Sequence, residues 1–507
     1  MPFNSLNNNL LNNSPGGSLS IGPFGSLISS ELTPAGQATL KYGINVTQWV
    51  TSSVGTGASN IVENGILSCS SGTSTSGSAE TRLRRGIKYR PGQGGIARFT
   101  ALFDPGVQDT IQLAGIGNSE CGYYFSRNET DFGIMHIDTA TLEIRKLTIS
   151  AGAGASESVT ITLDGTSKTF VISGGGNINQ TSYLISKQDY SQLGYGWTAE
   201  AIDGTVIFLS KSPRPFSGTF SLSSGGSAAG TFSTLQTGIA ASETFISQSQ
   251  WNIDTMDGNG PSRVTLNPEK GNVYGIGYQY LGFGNAVFSI EDPNKGILTP
   301  VHQIINANNR DTTVLNNPYM HAKWKAENRG SSTSVSVKGA SAATFIEGIV
   351  DRNIGPTFST GSIKNSVGST IVPVLTIRPN CVFKNQASYG AMDPYNISIG
   401  NDFGNSSGTD IVIVYIYRNA VLSGPVNFIQ VNTEHSICVA DYAATGVTTN
   451  NDTQLYKSFA LGPNNAVTIE LLSDEFYLTH GNELTIAART TGNTALVSVN
   501  VSWHEDQ

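Results

Sequence analysis

Charge is what this sequence has least of. Only 13% of its 507 residues are Asp, Glu, Lys or Arg, against about 25% in an ordinary soluble domain. Low charge does not signal disorder here, because 38% of the residues are apolar and can bury cores. Positive charge is in deficit: 29 Lys and Arg against 37 Asp and Glu leave a net charge of −8. That balance excludes a basic nucleic-acid binder. No run of ~18 apolar residues occurs, so no membrane insertion is expected. The start Met1-Pro2-Phe3-Asn4 has neither a basic segment nor an apolar one, and no secretory signal is expected from it.

Chemistry-bearing patterns are also missing. The four cysteines, Cys69, Cys121, Cys381 and Cys438, form no CxxC pair. A disulfide-stapled scaffold would be denser, so four buried or semi-buried free thiols are expected, with bridges left open. Six histidines stand singly, without HxH or HExxH spacing, and no metal site is expected from them. The Asp254–Gly260 stretch lacks the closing Glu of a calcium loop and reads as a hydrogen-bonded turn. There is no GxSxG elbow, no activated Cys motif and no P-loop. No catalytic residue and no cofactor are therefore expected. Paired carboxylates stay open, because they are defined in space.

What replaces the charges is Gly, at 57 residues, together with Ser, Thr and Asn. Short alternating runs recur, as in Val159-Thr160-Ile161-Thr162-Leu163. Toward the C-terminus Val497, Val499, Val501 and Trp503 fall on one face of a strand. Ile411 through Tyr417 reads as a strand buried on both faces. Asp164-Gly165 and Asp203-Gly204 mark hairpins. The best helical stretch is Gln180 to Leu193, with a turn around Ala342 to Ile349. This pattern predicts an all-β chain of consecutive β-sandwich or jelly-roll-like domains, with an inserted small β-rich module and an N-terminal arm. The arm covers 1–35, and the first β-domain covers 36–145 and continues over 246–352. The module covers 146–245, a hinge 353–370, and a C-terminal β-sandwich 371–507.

Two segments stand out. Arg82 through Arg90 gathers five positive charges in an acidic chain, with Arg84 and Arg85 at its centre. It could meet nucleic acid, but contact with carboxylates of another copy is the preferred reading. The run Tyr278-Gln279-Tyr280-Leu281-Gly282-Phe283 alternates aromatics with Gly. Tyr278, Tyr280, Phe283 and Trp324 join Arg84 and Arg85 as the candidate assembly or ligand surface. Each of the five tryptophans also has a plainer reading, as core.

The words Arg84-Arg85-Gly86-Ile87-Lys88-Tyr89-Arg90-Pro91-Gly92-Gln93-Gly94 and Ala114-Gly115-Ile116-Gly117-Asn118 resemble virion structural proteins of tailed phages and other large DNA viruses. So do Trp251-Asn252, Met256 through Ser262, Leu266 through Asn272, Tyr278 through Gly284, and the end from Leu484 to Asp506. The resemblance covers about two-thirds of the chain. It implies a non-enzymatic fibre, tail or capsid-associated protein located in the virion, with no catalytic residue to carry over. A homotrimer that contacts other virion proteins through its arm, and a host receptor or glycan through its surface, is then expected. A carbohydrate-binding adhesin is the alternative, and a polysaccharide-degrading tailspike is a weaker one.

Overall fold

The computed structural model describes residues 32–138, 140–315, 317–348, 356–402, 410–471 and 477–506. The Asn-rich arm over 1–31 lies outside them. The chain divides into two compact units, 1–139 with 242–351 and 140–241 with 352–507. Among the described residues nearly every element is a strand, as the alternating patterns require.

The first unit is built on two sheets. One runs Ser242–Ser247, Asp131–Asp138, Gly122–Asn128, Thr110–Gly117, His321–Asn328, Ser78–Leu83 and Trp49–Val54. The other runs Ile297–Ile304, Ala286–Asp292, Asn272–Tyr278, Gly95–Phe103, Ser336–Gly339, Ile66–Ser70 and Ser59–Glu63. Ser341–Glu347 also pairs with Gly95–Phe103 and carries Leu32–Thr39 on its other side. Inward side chains of both sheets, among them Phe99, Phe103, Phe125, Tyr274, Phe288 and Trp324, form one aromatic-rich core. The last residues assigned to the arm, Leu32 to Ala35, are therefore strand and not arm.

The second unit holds the module and the C-terminal sandwich. In the module, a four-stranded and a three-stranded sheet enclose Leu147, Ile161, Trp197 and Phe208. The Asp164-Gly165 and Asp203-Gly204 pairs sit at positive φ, as a two-residue hairpin turn demands. In the C-terminal sandwich two six-stranded sheets face each other over Val374, Ile397, Val414 and Ile486. Val497, Val499, Val501 and Trp503 all point into that core.

Several local expectations change. The helix spans Ile178–Ser186, starting two residues early because the Asn177 side chain accepts from Asn179 N and Gln180 N. The Ala342 stretch is not a helical turn but the strand Ser341–Glu347, with Ala342, Thr344 and Ile346 buried alternately. Its partners on both sides outweigh the helix propensity of its alanines. Within the stretch read as a hinge, Thr357–Ser359 and Ile363–Val367 are strands on Ala495–Asp506. In Val412–Arg418 one face is closed by Val412, Val414 and Ile416, while on the other Tyr417 is buried and Ile413 and Tyr415 are half-buried. All four cysteines are buried free thiols.

Candidate functional site

The six residues singled out from the sequence do not form one surface. Trp324 is buried, donates from Nε1 to the Thr100 carbonyl at 3.0 Å, and packs on Trp49 at 5.6 Å. Tyr278 is buried, with its hydroxyl on the Pro318 carbonyl at 3.1 Å. Both are core residues, so neither presents a ligand surface. Even-numbered positions of Asn272–Tyr278 face inward, which is why Tyr278 is enclosed while the turn after it is not. Tyr280 is half-buried, and Phe283 is exposed. Tyr280 meets Tyr89 edge-on at 5.0 Å, which joins the aromatic turn to the basic segment carrying Arg84 and Arg85. Arg84 spends its guanidinium on the Val46 carbonyl, at 3.1 and 2.8 Å.

A different constellation lines an open cleft of the first unit. About 540 Å³ is lined by Arg127, Thr130, Asp131, Phe132, Ser247, Gln248, Ser249, Pro268 and Glu269. It continues past Gln248 and Ser249 into about 380 Å³ lined by Thr255, Met256, Asp257, Thr265 and Leu266. Arg127 ends the strand Gly122–Asn128 and is steered by two contacts. Its Nη1 donates to the Thr130 carbonyl at 3.2 Å, and its Nη2 donates to Glu269 Oε1 at 3.3 Å. Its Nε is buried without an acceptor. Gln248 is anchored through Nε2 on the Thr255 and Met256 carbonyls at 2.8 and 3.2 Å. Ser247 and Ser249 lie 3.0 Å apart through their hydroxyls. Hydrogen bonds, first from Asn259 N, hold the Asp257 carboxyl below its ordinary range. The Glu269 side chain is 49% exposed and keeps oxygen lone pairs for a ligand.

These residues come from two stretches far apart in sequence, 127–132 and 247–269, and none belongs to a spaced motif. Met256, Asp257, Leu266, Pro268 and Glu269 lie within stretches singled out in the sequence, but nothing in those stretches pointed to a cleft shared with Arg127. The Asp254–Gly260 stretch behaves as read, with Asp254 accepting from Met256 N at 2.9 Å and Ser262 N at 2.7 Å.

In the second unit one Cys/His/Glu cluster has the composition of a metal site, with Glu200, Cys381 and His480 together. Its carboxylate is already committed. Glu200 Oε2 lies 2.8 Å from Arg378 Nη1 and accepts from Cys381 N at 3.1 Å, while Oε1 lies 2.6 Å from His480 Nδ1. Burial alone would raise the Glu200 pKa, but Arg378 and His480 outweigh it and hold the carboxyl at about 2. Burial pushes the Cys381 thiol up, away from the thiolate that a nucleophile or a metal ligand needs. The cluster reads as a buried ion pair tying the strand Trp197–Ile202 to Val372–Pro379.

No family model matches the chain. No curated protein matches it. Among solved structures it is similar to the legume lectin-like domain from Entamoeba histolytica, at 9% identity and TM-score 0.23, over 62% of this chain and 97% of that one. It is also similar to Bacillus licheniformis beta-glucanase, at 9% identity and TM-score 0.24, over 61% of this chain and 97% of that one. The VIP36 exoplasmic/lumenal domain in its Ca2+/Man-bound form gives 10% and 0.24, over 64% and 94%. At such identities and scores these likenesses carry no argument about what this chain does.

Proposed function

We propose that this protein is a non-enzymatic attachment component of a virus particle, and that its first unit binds glycan in the cleft between Arg127 and Glu269. The observation that carries the reading is the chemistry of that cleft. A guanidinium, an exposed carboxylate, an amide and hydroxyls converge there, the donor and acceptor mixture that vicinal sugar hydroxyls match. The low overall charge and many short strands suit a protein whose surfaces meet other copies, with a homotrimer expected.

A glycan array with the full chain tests the cleft. Saturable binding is expected, and Arg127→Ala or Glu269→Ala should each weaken it about tenfold, the worth of one charged hydrogen bond. No saturable binding, or wild-type binding by both variants, would exclude this site. The particle reading has its own measurement, the native mass with symmetry from electron microscopy. A trimer is expected, and a monomer would count most heavily against it. Removal of residues 1–31 should abolish incorporation into particles while leaving the melting profile intact; normal incorporation would end the anchoring role of the arm.

A further inference from the structure

Between the strands Ile297–Ile304 and His321–Asn328 the chain runs as a strap, 305–315, that reaches back to Asp131–Asp138. It is pinned near both ends. Asn306 Nδ2 donates to the Gly284 carbonyl at 2.7 Å, and Val314 N donates to the Gly282 carbonyl at 2.9 Å. Val314 and Leu315 are buried in the core. Between these pins residues 307–309 and 311–313 are exposed, so burial holds little of the middle. Arg310 is the exception. Its Nη2 lies 2.7 Å from Asp138 Oδ2, and that ion pair ties the middle of the strap to the sheet.

The imidazole beside this pair is badly placed to carry a charge. Phe132, Ile134, His136 and Asp138 share one face of their strand, and the first two belong to the core. His136 is 5% exposed and stacks on Tyr123, with ring centroids 4.8 Å apart. Its Nε2 is buried without a hydrogen-bond partner among the described residues, and so is Arg310 Nε. A second proton on the ring would leave a buried donor with no acceptor, next to a guanidinium. Burial holds the imidazole below its ordinary 6.5; Asp138 and the Val314 backbone oppose this, while Arg310 adds to it. The other groups facing the ring are uncharged: burial keeps Tyr123 protonated, and Thr244 lies opposite on Ser242–Ser247. We propose that the strap is an acid-released latch: a proton from solvent on His136 sets two cations against the one carboxylate of Asp138, and 306–313 lifts away. Release also frees the Gly282 and Gly284 carbonyls, which loosens the turn that presents Phe283. Once released, His136 meets water and binds its proton more tightly. The latch is therefore complete above pH 6.5 and is lost as pH falls below it, by up to about tenfold per pH unit for one proton. It does not rest on the glycan cleft.

The test is hydrogen–deuterium exchange of the full chain at about pH 7.5 and about pH 5.5, corrected for the intrinsic pH dependence of exchange. Protection over 306–315 should fall roughly tenfold at the lower value. The rest of the first unit should stay protected, and so should 140–241, because Glu200 titrates only below 4.5. His136→Phe keeps a ring against Tyr123 and takes no proton, so its strap should stay protected at both values. Arg310→Gln, a change on the strap itself, should lose that protection already at about pH 7.5, and it keeps the test decisive should His136→Phe fold poorly. Equal protection of wild type at both values overturns the proposal, as does loss spread over the whole first unit. A wild-type response in folded His136→Phe also overturns it and moves the proton to His302, whose Nδ1 accepts from Asn252 N at 3.2 Å. So does full protection of Arg310→Gln at the higher value.

Discussion

Glu200→Leu is expected to lower the stability of the second unit by about 3–5 kcal/mol, because it strands the Arg378 guanidinium without its carboxylate. Arg378 is buried, with Nη2 on the Ala201 carbonyl at 2.9 Å and its guanidinium over the Phe428 ring at 4.3 Å. Neither contact replaces the charge. Chemical denaturation followed in the second unit measures the loss. Glu200→Leu combined with Arg378→Met should recover most of it, since apolar replacement of a whole buried pair is often neutral. A double variant as unstable as the single one would show that the pair itself holds the module. The same carboxyl sets an acid limit. Its pKa falls on folding from an ordinary 4.5 to about 2, so its contribution is complete above pH ~4.5 and is lost as pH falls through that range. Roughly 3 kcal/mol should disappear between the two values. A Glu200→Leu chain should show a flatter pH profile there.

Trp324→Ala should cost about 3–5 kcal/mol in the first unit and leave glycan binding to folded protein unchanged. The indole fills the space between the two sheets, its Nε1 satisfied by Thr100 and its face against Trp49. Opposite it, a Cβ at Gly339 would lie 2.4 Å from the ring, so the glycine is the complement of the tryptophan. Gly339→Val should destabilise for the opposite reason, by overpacking. Urea titration with tryptophan fluorescence distinguishes these outcomes. Retained stability in Trp324→Ala would return this residue to the surface.

The contrast between Trp324 and Phe283 shows where sequence reading stopped. Both stood out as large aromatics, Phe283 between two glycines and Trp324 between two lysines. Phe283 lies in the turn after Asn272–Tyr278, whereas Trp324 lies in the strand His321–Asn328, where a one-residue difference in register separates core from solvent. Register depends on partner strands, and those of Trp324 lie at Ser78–Leu83 and Thr110–Gly117, remote in the chain. Tyr280 was legible as unusual, but Tyr89 as its neighbour was not. The cleft of Arg127, Gln248 and Glu269 had no legible spacing at all, since Arg127 and Gln248 are brought together by the pairing of Gly122–Asn128, Asp131–Asp138 and Ser242–Ser247, strands remote in the chain. Hairpin turns were legible, because φ > 0 at Asp164-Gly165 and Asp203-Gly204 is a local demand.

By itself the sequence determined the all-strand character, the buried thiols and the one-faced C-terminal strand. These follow from composition and from a period of two, which act between near neighbours. Tertiary structure decided which aromatics became core and which carboxylates found cations. It also decided where donors and acceptors converged into a cleft. Those outcomes depend on contacts between residues hundreds of positions apart, and no local pattern encodes them. The scarcity of charge acquired its meaning there as well: Glu200 with Arg378, and Arg127 with Glu269, are ion pairs whose partners come from distant strands and loops.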